Sequence, residues 1–370
     1  MLAVISPIIA YRYFVPPIRP TGPRAEMVKH PRQHRIAMAL AAGLLASLLI
    51  TPLRAQSHPP QYITTVWQTE QGLPQNSVNA ILQDHRGYLW IGTFGGLARF
   101  DGERFRVFDS ADTPGFSSNQ ILSLYESRSG VLWIGTVSGG LIRLEDGVAT
   151  TYTERDGLPS GFIQSIRGDA EGNVWINSSR GVAKFAGAKL EAYPTHRGKA
   201  VREFYLEARD GSMWFRCGNE LVRFGADGSL ATLKVRKPSV FLVQEAGDGS
   251  VWVAVRDEYR LVRYDQGAFS DVPLPPIRRR ALAEDPEYTV TMAEGADGEL
   301  LLYAPAGLVR IVDGRLRPPQ PLSLPANGGE LPKVRSLLVD REGNLWVGMV
   351  GPGLLRLRPA PWRPALGDGQ

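Results

Sequence analysis

Side chains that commonly carry out catalysis or bind metals are few in this chain of 370 residues. Three histidines follow the N-terminal segment, His58, His85 and His196, and their spacing does not suit a shared metal ion. Cys217 is the single cysteine, so the chain cannot form an intrachain disulfide. It lies three residues after Trp214, and we interpret it as a small residue of a strand and not as a reactive thiol. We therefore predict no catalytic residues, no metal site and no cofactor.

Paired glycines could indicate a phosphate-binding loop. Gly95-Gly96 and Gly139-Gly140, however, join one predicted strand to another and do not precede a helix. Phosphate-binding loops rely on a helix N-terminus to receive the anion. These pairs therefore predict tight turns.

The elements that must position any site are set by a motif that occurs seven times: Gly, two residues, an aromatic position and an apolar residue. The aromatic positions lie 38 to 49 residues apart, the length of one four-stranded propeller blade. They are Trp90, Trp133, Trp175, Trp214, Trp252, Leu301 and Trp346. The spacing predicts an all-β fold, a single seven-bladed β-propeller over residues 61–358. Because every blade carries this position, we interpret it as structural.

The first repeat predicts the layout of one blade, with strands at 77–83, 88–94, 97–100 and 105–108 joined by tight turns. An acid before the Gly and a cation in the third strand recur in each copy, for example Asp84 and Arg99. We interpret the acids as hydrogen-bond acceptors in turns and the cations as packing groups between blades. The seventh copy lacks an outer strand, and Tyr62–Trp67 has the aromatic and β-branched character to supply it. We therefore predict that an N-terminal strand completes the last blade.

The formal charge of +5 is concentrated at the N-terminus. Residues 1–55 contain seven cations and one anion, so the remainder carries about −1 with both signs interspersed. This distribution argues against nucleic-acid binding. Lys29, Arg32 and Arg35 precede an apolar run at 36–50, which is short for a membrane span and predicts a cleavable secretion signal in residues 1–55 that could begin at Met27. Residues 359–370 are predicted to form a C-terminal tail.

Three stretches of the first repeat carry a family resemblance: Gly72-Leu73-Pro74-Gln75-Asn76-Ser77-Val78, residues 84–93 and Gly95-Gly96-Leu97-Ala98-Arg99-Phe100. Together with 131–144 and 342–357 they resemble the two-component regulator propeller family. The resemblance implies a periplasmic propeller that senses a ligand, often a saccharide, for a histidine kinase or diguanylate cyclase. This chain has no output domain or linking β-sandwich, so either a separate protein carries the output or the chain is the sensor part of a longer gene product.

Ligand-binding residues are expected where the copies differ, at the mouth of the central channel, formed by the turns after each second strand and the connections into each first strand. Amide, hydroxyl, aromatic and guanidinium groups there suit a small polar ligand. The predicted residues are Gln75, Asn76, Thr93, Phe94, Ser118, Asn119, Thr136, Ser160, Phe162, Asn177, Arg180, Arg202, Arg216, Arg256, Asp257, Tyr288 and Met349.

The sequence therefore favours a non-catalytic periplasmic sensor propeller. Its expected partners are a small polar ligand and a histidine kinase or diguanylate cyclase, with no nucleic acid and with membrane contact only through an uncleaved signal. Two alternatives stay open. One is an exported scaffold that binds an envelope protein, and the other is an enzyme of the propeller lyase type.

Overall fold

The computed structural model describes residues 62–187, 189–234, 241–255, 260–274, 291–295, 297–304, 307–320, 322, 324 and 333–360. The predicted secretion signal in residues 1–55 and most of the predicted tail lie outside this part of the chain. Within it, no helix has the length and apolar character required to cross a membrane.

The described strands form seven four-stranded antiparallel sheets, which confirms the predicted fold class. Six sheets use consecutive strands, each pairing with the next in chain order. Blade 1 contains Val78–Gln83, Leu89–Thr93, Leu97–Phe100 and Phe105–Phe108; blade 2 contains Ile121–Glu126, Leu132–Thr136, Leu141–Glu145 and Val148–Tyr152; blade 3 contains Ile163–Gly168, Val174–Ser178, Gly181–Ala186 and Lys189–Ala192.

Blade 4 contains Glu203–Glu207, Met213–Cys217, Glu220–Phe224 and Leu230–Lys234; blade 5 contains Phe241–Glu245, Val251–Val255, Arg260–Asp265 and Ala268–Val272; blade 6 contains Thr291–Glu294, Leu300–Ala304, Gly307–Val312 and Arg315–Leu316. Between blades 3 and 4 a hairpin pairs Thr195–His196 with Lys199–Ala200. Two single-turn 3₁₀ helices, Thr69–Gln71 and Glu154–Asp156, lie in the connections before blades 1 and 3.

Blade 7 combines the two ends of the described chain. Val334–Val339, Leu345–Met349 and Leu354–Pro359 are its first three strands, and Tyr62–Trp67 pairs antiparallel with the third. The third strand reaches Pro359, one residue into the segment expected to be tail. That this pairing closes the ring of the folded protein stays a prediction.

The first strands of successive blades lie side by side around the central axis, and the first strand of blade 7 contacts that of blade 1. Glycines in second strands allow this approach. A Cβ added to Gly92 would lie 2.7 Å from Ile121 of blade 2, and one added to Gly348 would lie 2.7 Å from Val78 of blade 1. A side chain at these positions would force neighbouring blades apart.

The repeated aromatic position is buried in every blade, with at most 5% of the side chain exposed. In blades 1, 3 and 7 an Asp three residues before the turn Gly accepts the indole N–H. The Nε1–Oδ2 distance is 3.0 Å from Trp90 to Asp84, 2.8 Å from Trp175 to Asp169 and 2.7 Å from Trp346 to Asp340. The same Asp residues accept backbone N–H groups of their own turns. These acids act within the turn, as their position predicts.

The other acids in the series lie one residue earlier, and three of them bond across the seam between neighbouring blades. Glu126 accepts the backbone N–H of His85 at 2.8 Å, and Glu207 accepts that of Ala170 at 2.6 Å. Glu245 accepts the N–H of Arg209 in the same way, and Gln83 accepts that of Arg341 at 2.9 Å. In each case a blade supplies the acceptor and the preceding blade supplies the donor. We call these contacts seam hydrogen bonds.

Candidate functional site

The predicted ligand residues that the structure describes belong to the same end of their blades, because a turn after the second strand lies beside the connection into the first strand. Gln75 accepts the N–H of Phe94 at 3.1 Å, and Phe162 accepts the N–H of Ser179 through its carbonyl oxygen. Arg202 donates its N–H to the carbonyl oxygen of Arg216 at 2.8 Å. These bonds bring the loops of the predicted mouth together. Three predicted residues, Arg256, Asp257 and Tyr288, lie outside the described part of the chain.

Several predicted residues use their polar groups inside the loops. Thr93 and Thr136 are buried and donate their hydroxyls to Gly96 and Gly140, both at 2.8 Å. Four other side chains accept a backbone N–H group within the loops: Asn76 from Thr69, Asn119 from Ser110, Ser118 from Gln120 and Ser160 from Phe162. Met349 is fully buried in the core of blade 7. These contacts position the loops, and a ligand role for these residues stays a prediction.

Asn177 replaces the second-strand glycine in blade 3 and bonds directly to blade 4. Its Nδ2 donates to the carbonyl of Phe204 at 2.7 Å, and its Oδ1 accepts the N–H of the same residue at 2.9 Å. Nδ2 also lies 2.8 Å from Ser165 Oγ. The side chain is buried, so it joins two blades beneath the mouth.

The three predicted arginines that the structure describes place charged groups at the mouth. Arg180 and Arg202 are exposed, and Arg216 pairs with Glu203 at 3.2 Å. Glu203 also bonds to the hydroxyl of Tyr205. The mouth therefore presents cations together with a carboxylate that is already paired.

Asn79, Glu203 and Arg335 were not among the predicted residues, yet they contribute polar groups beside them. Arg335 donates to Asn79 Oδ1 at 3.0 Å and lies 5.9 Å from the ring centre of Phe94, so it joins blades 7 and 1. All three lie eight residues before a turn Gly, and the residue at that position differs in each of the seven copies. That variability was the available signal.

The opposite end of blades 1 and 2 holds a cavity of about 540 Å³ whose lining includes His85, Trp90, Arg99, Arg106 and Glu126. His85 lies in the turn between the first and second strands of blade 1. The structure also places its Nδ1 2.6 Å from Glu126 Oε1. Such a contact orients the imidazole. No predicted ligand residue lies in this cavity.

Other chemistry is sparse in the described ranges. They contain no group of three or more His, Cys, Asp and Glu residues arranged to hold a metal ion. Cys217 is partly buried, and desolvation raises the pKa of its thiol, which keeps it protonated and poorly nucleophilic. This environment agrees with a structural role for the cysteine.

Seven antiparallel sheets arranged around an axis define the class of this protein, a seven-bladed β-propeller. Residues 72–95, 115–138 and 329–351 match the model of the family described as two component regulator propeller. This chain therefore carries repeats of that family, as its motifs predicted.

One known protein is similar to this chain in sequence over a short segment, and others are similar in fold. A 65-residue segment is 38% identical to Histidine kinase P4 of Formosa agariphila and covers 18% of this chain but 5% of that protein. The extracellular domain of a proposed hybrid two component system of B. thetaiotaomicron has 20% identity and a TM-score of 0.62 over 81% of this chain and 42% of that domain. The chain thus spans less than half of these relatives.

An enzyme shares the fold. Virginiamycin B lyase of Staphylococcus aureus, in a catalytically inactive form with quinupristin, has 12% identity and a TM-score of 0.60 over 80% of this chain and 99% of the lyase. At such identities the likeness shows the fold alone.

Proposed function

We propose that this chain is the ligand-sensing propeller of a bacterial two-component or cyclic-di-nucleotide signalling system. The observation that carries the proposal is the match of three of its repeats to the two component regulator propeller model. The similarity in fold to an extracellular domain of a hybrid two component system supports it. In this role the propeller binds a ligand and a histidine kinase or diguanylate cyclase delivers the output.

The proposed location is the periplasm. The cationic and apolar pattern at 29–50 has the character of a secretion signal, and the relative of similar fold is an extracellular domain. Fractionation of cells that express the full chain tests this part. A shortened chain in the periplasmic fraction is expected, and a full-length chain in the cytoplasm would contradict it.

The proposed site is the channel mouth, where side chains differ from blade to blade. Arg335 lies 5.9 Å from the ring centre of Phe94 and donates to Asn79, and the Glu203–Arg216 pair adds a donor and an acceptor at the same end of blade 4. Hydrogen-bonding groups near an aromatic face suit a polar ligand with a C–H surface, such as a saccharide. Arg180 and Arg202 add exposed cations at the rim.

A thermal-shift screen with neutral oligosaccharides tests the proposal. A ligand that binds only the native state raises the melting temperature because it contributes RT ln(1 + [L]/Kd) to stability. Arg335→Gln should abolish the shift. Arg315→Gln, which changes an exposed arginine on the outer strand of blade 6, should leave it intact.

Two results would replace this function. If no saccharide changes the melting temperature and an envelope protein is captured from cells, a scaffold role would take its place. A propeller of similar fold bound to the D1 peptide shows that such rings can hold a protein segment. If a glycan or lactone is turned over and His85→Ala abolishes the turnover, the lyase alternative would be favoured, because His85 is oriented by Glu126.

A further inference from the structure

The third-strand cation recurs in all seven blades and pairs with a carboxylate in five of them. Arg143 lies 2.6 Å from Glu145, Lys184 3.7 Å from Asp169, Arg223 2.6 Å from Asp210, Arg263 3.1 Å from Asp248 and Arg310 2.6 Å from Glu299. Arg356 lies over the rings of Trp67 and Trp346 in blade 7. Arg99 of blade 1 lies over Tyr88, 4.4 Å from the ring centre. No described carboxylate forms an ion pair with Arg99.

One substitution and one altered contact in blade 1 distinguish it from the blades that form this ion pair. In blades 4 and 5 the residue before the turn Gly is the paired acid, Asp210 or Asp248, and in blade 1 it is Arg86. The acid two residues after the cation pairs with it in blade 2. Its counterpart, Asp101, instead accepts the backbone N–H groups of Glu103 and Arg104. Neither position therefore supplies an ion-pair partner for Arg99, and Arg86 adds a second cation near the Tyr88 ring.

A second cation lies directly opposite Arg99 in the sheet. Arg99 pairs with Arg106 of the outer strand, and like charges in such a pair are destabilising. In blades 2, 3, 4, 5 and 7 the opposing residue is Thr150, Glu191, Ala231, Ser270 or Thr65. In blade 6 Arg317 lies beside Arg310, whose charge is already paired by Glu299. An unneutralised arginine pair is found only in blade 1 among the described residues.

Both guanidinium-bearing residues line the cavity of about 540 Å³ between blades 1 and 2. Its floor is apolar and is made by Trp90, Phe108, Leu132 and Leu144. The volume is in the range of small-molecule sites, and an apolar floor beside a few converging polar groups is their usual composition.

The carboxylates of the cavity are mostly engaged. Asp84 accepts the indole of Trp90 and turn N–H groups, and Arg86 lies 3.6 Å from it. Glu126 binds His85. Glu145 pairs with Arg143, and Asp146 lies in an exposed turn beside it. These two exposed acids remain able to accept hydroxyl groups. Arg99 and Arg106 lie over the rings of Tyr88 and Phe108 and form no ion pair with a described acid, so they remain able to bind an anion.

We propose that this cavity is a second binding site, separate from the channel mouth, for a hydroxylated carboxylic acid about the size of a hexuronate. The ligand carboxylate binds Arg99 and Arg106 and relieves their repulsion. The C–H face of the ligand packs on the floor at Trp90, and its hydroxyls donate to Glu145 and Asp146. Planar guanidinium groups favour a carboxylate through paired, charge-assisted hydrogen bonds.

Isothermal titration of the folded protein with D-glucuronate, D-glucose and inorganic sulfate tests this site. Glucuronate should bind, and glucose and sulfate should each bind at least about tenfold more weakly, because each lacks one half of the required contacts. Arg106→Gln should weaken glucuronate binding about tenfold or more. Arg106 is exposed, so this variant should remain folded, which the melting temperature verifies.

Arg315→Gln is the matched control, since it removes the same charge from an exposed outer strand of blade 6 and should leave glucuronate binding unchanged. Equal binding of glucose and glucuronate, equal binding of sulfate, or unchanged binding in Arg106→Gln would each overturn the proposal. Failure here is distinct from failure of the sensor function, because a neutral saccharide shift that depends on Arg335 can persist without glucuronate binding.

Discussion

The indole nitrogen of Trp346 donates to Asp340 Oδ2 at 2.7 Å, and both residues are buried. Asp340 Oδ1 also accepts the backbone N–H groups of Glu342 and Asn344. One carboxylate thus fixes the turn and satisfies the tryptophan that fills the blade. The corresponding Asp and Trp in blades 1 and 3 make the same contact.

Replacement of this carboxylate should therefore be costly. Asp340→Ala leaves the buried indole N–H of Trp346 and two turn N–H groups without their acceptor, and we expect a loss of about 3 kcal/mol in the free energy of unfolding. Urea denaturation measures it. Asp101→Ala is the control, because Asp101 accepts turn N–H groups in an exposed position with no indole bonded to it. Equal losses in the two variants would contradict the role assigned to the Trp346 contact.

In blade 2 the acceptor for the indole is missing among the described residues and can be added. Ser127 occupies the position of the Asp, and the Nε1 of Trp133 is buried without a hydrogen-bond partner among the described residues. Ser127→Asp places an acceptor six residues before the tryptophan, as in blades 1, 3 and 7, and should stabilise the protein by about 1 kcal/mol. Ser138→Asp adds the same charge to an exposed turn at the other end of blade 2 and should have little effect. A Ser127→Asp variant no more stable than Ser138→Asp would show that the indole gains nothing.

Closure of the ring by the N-terminal strand is tested at Trp67. This side chain stacks on Trp346 with ring centres 5.3 Å apart and meets the edge of Phe100 at 5.3 Å. If the strand completes blade 7 in solution, Trp67→Ala should cost about 3 kcal/mol through lost aromatic packing. Ile63→Ala in the same strand removes a side chain that is 43% exposed and should cost far less. Similar denaturation midpoints for the two variants would argue against closure by this strand.

Alkaline pH should destabilise the fold through Tyr303. Burial raises the pKa of Tyr303 to about 12 from 10.0, so the folded state favours the neutral phenol. Its stabilising contribution is complete below pH 10 and is lost as the pH rises from 10 towards 12, because the unfolded chain ionises first. At about 1.4 kcal/mol per pKa unit the full loss is about 3 kcal/mol.

Tyr303→Phe removes this titration. Relative to the unaltered protein, the variant should gain about 1 kcal/mol in the free energy of unfolding between pH 9 and pH 11. Urea denaturation at both pH values measures the difference. Subtraction of the two curves cancels the contributions of Tyr62, Tyr125 and Tyr193, whose pKa values burial also raises. A difference that does not change with pH would contradict the assignment to Tyr303.

The repeat period predicted the blades well because each blade is a local meander. The structure forms the strands at Leu97–Phe100 and Phe105–Phe108 within the limits that the first repeat predicted. The short hairpin at Thr195–His196 and Lys199–Ala200 was not predicted, since it lies in an inter-blade connection outside the repeat.

Contacts between blades were harder to predict, because they join residues about one repeat apart. The acids that precede the turn glycines were all given the same role from the sequence. Asp84 bonds within its own turn, whereas Glu126 reaches the His85 backbone in the preceding blade. The arginine pair of blade 1 could have been noticed as a departure from the other copies. The cavity beside it depends on how blades 1 and 2 pack, which no single repeat encodes.

The seam hydrogen bonds have a direction, because a blade such as blade 4 offers Glu207 to the blade before it and the Arg209 N–H to the blade after it. A blade of this kind therefore carries an acceptor for the preceding blade and a donor for the following blade. Duplication of such a blade within a gene would copy its donor and its acceptor together, and the new blade could form seam hydrogen bonds to both neighbours without further change. A propeller built in this way can gain a blade by one genetic event and retain the seam hydrogen bonds between its blades.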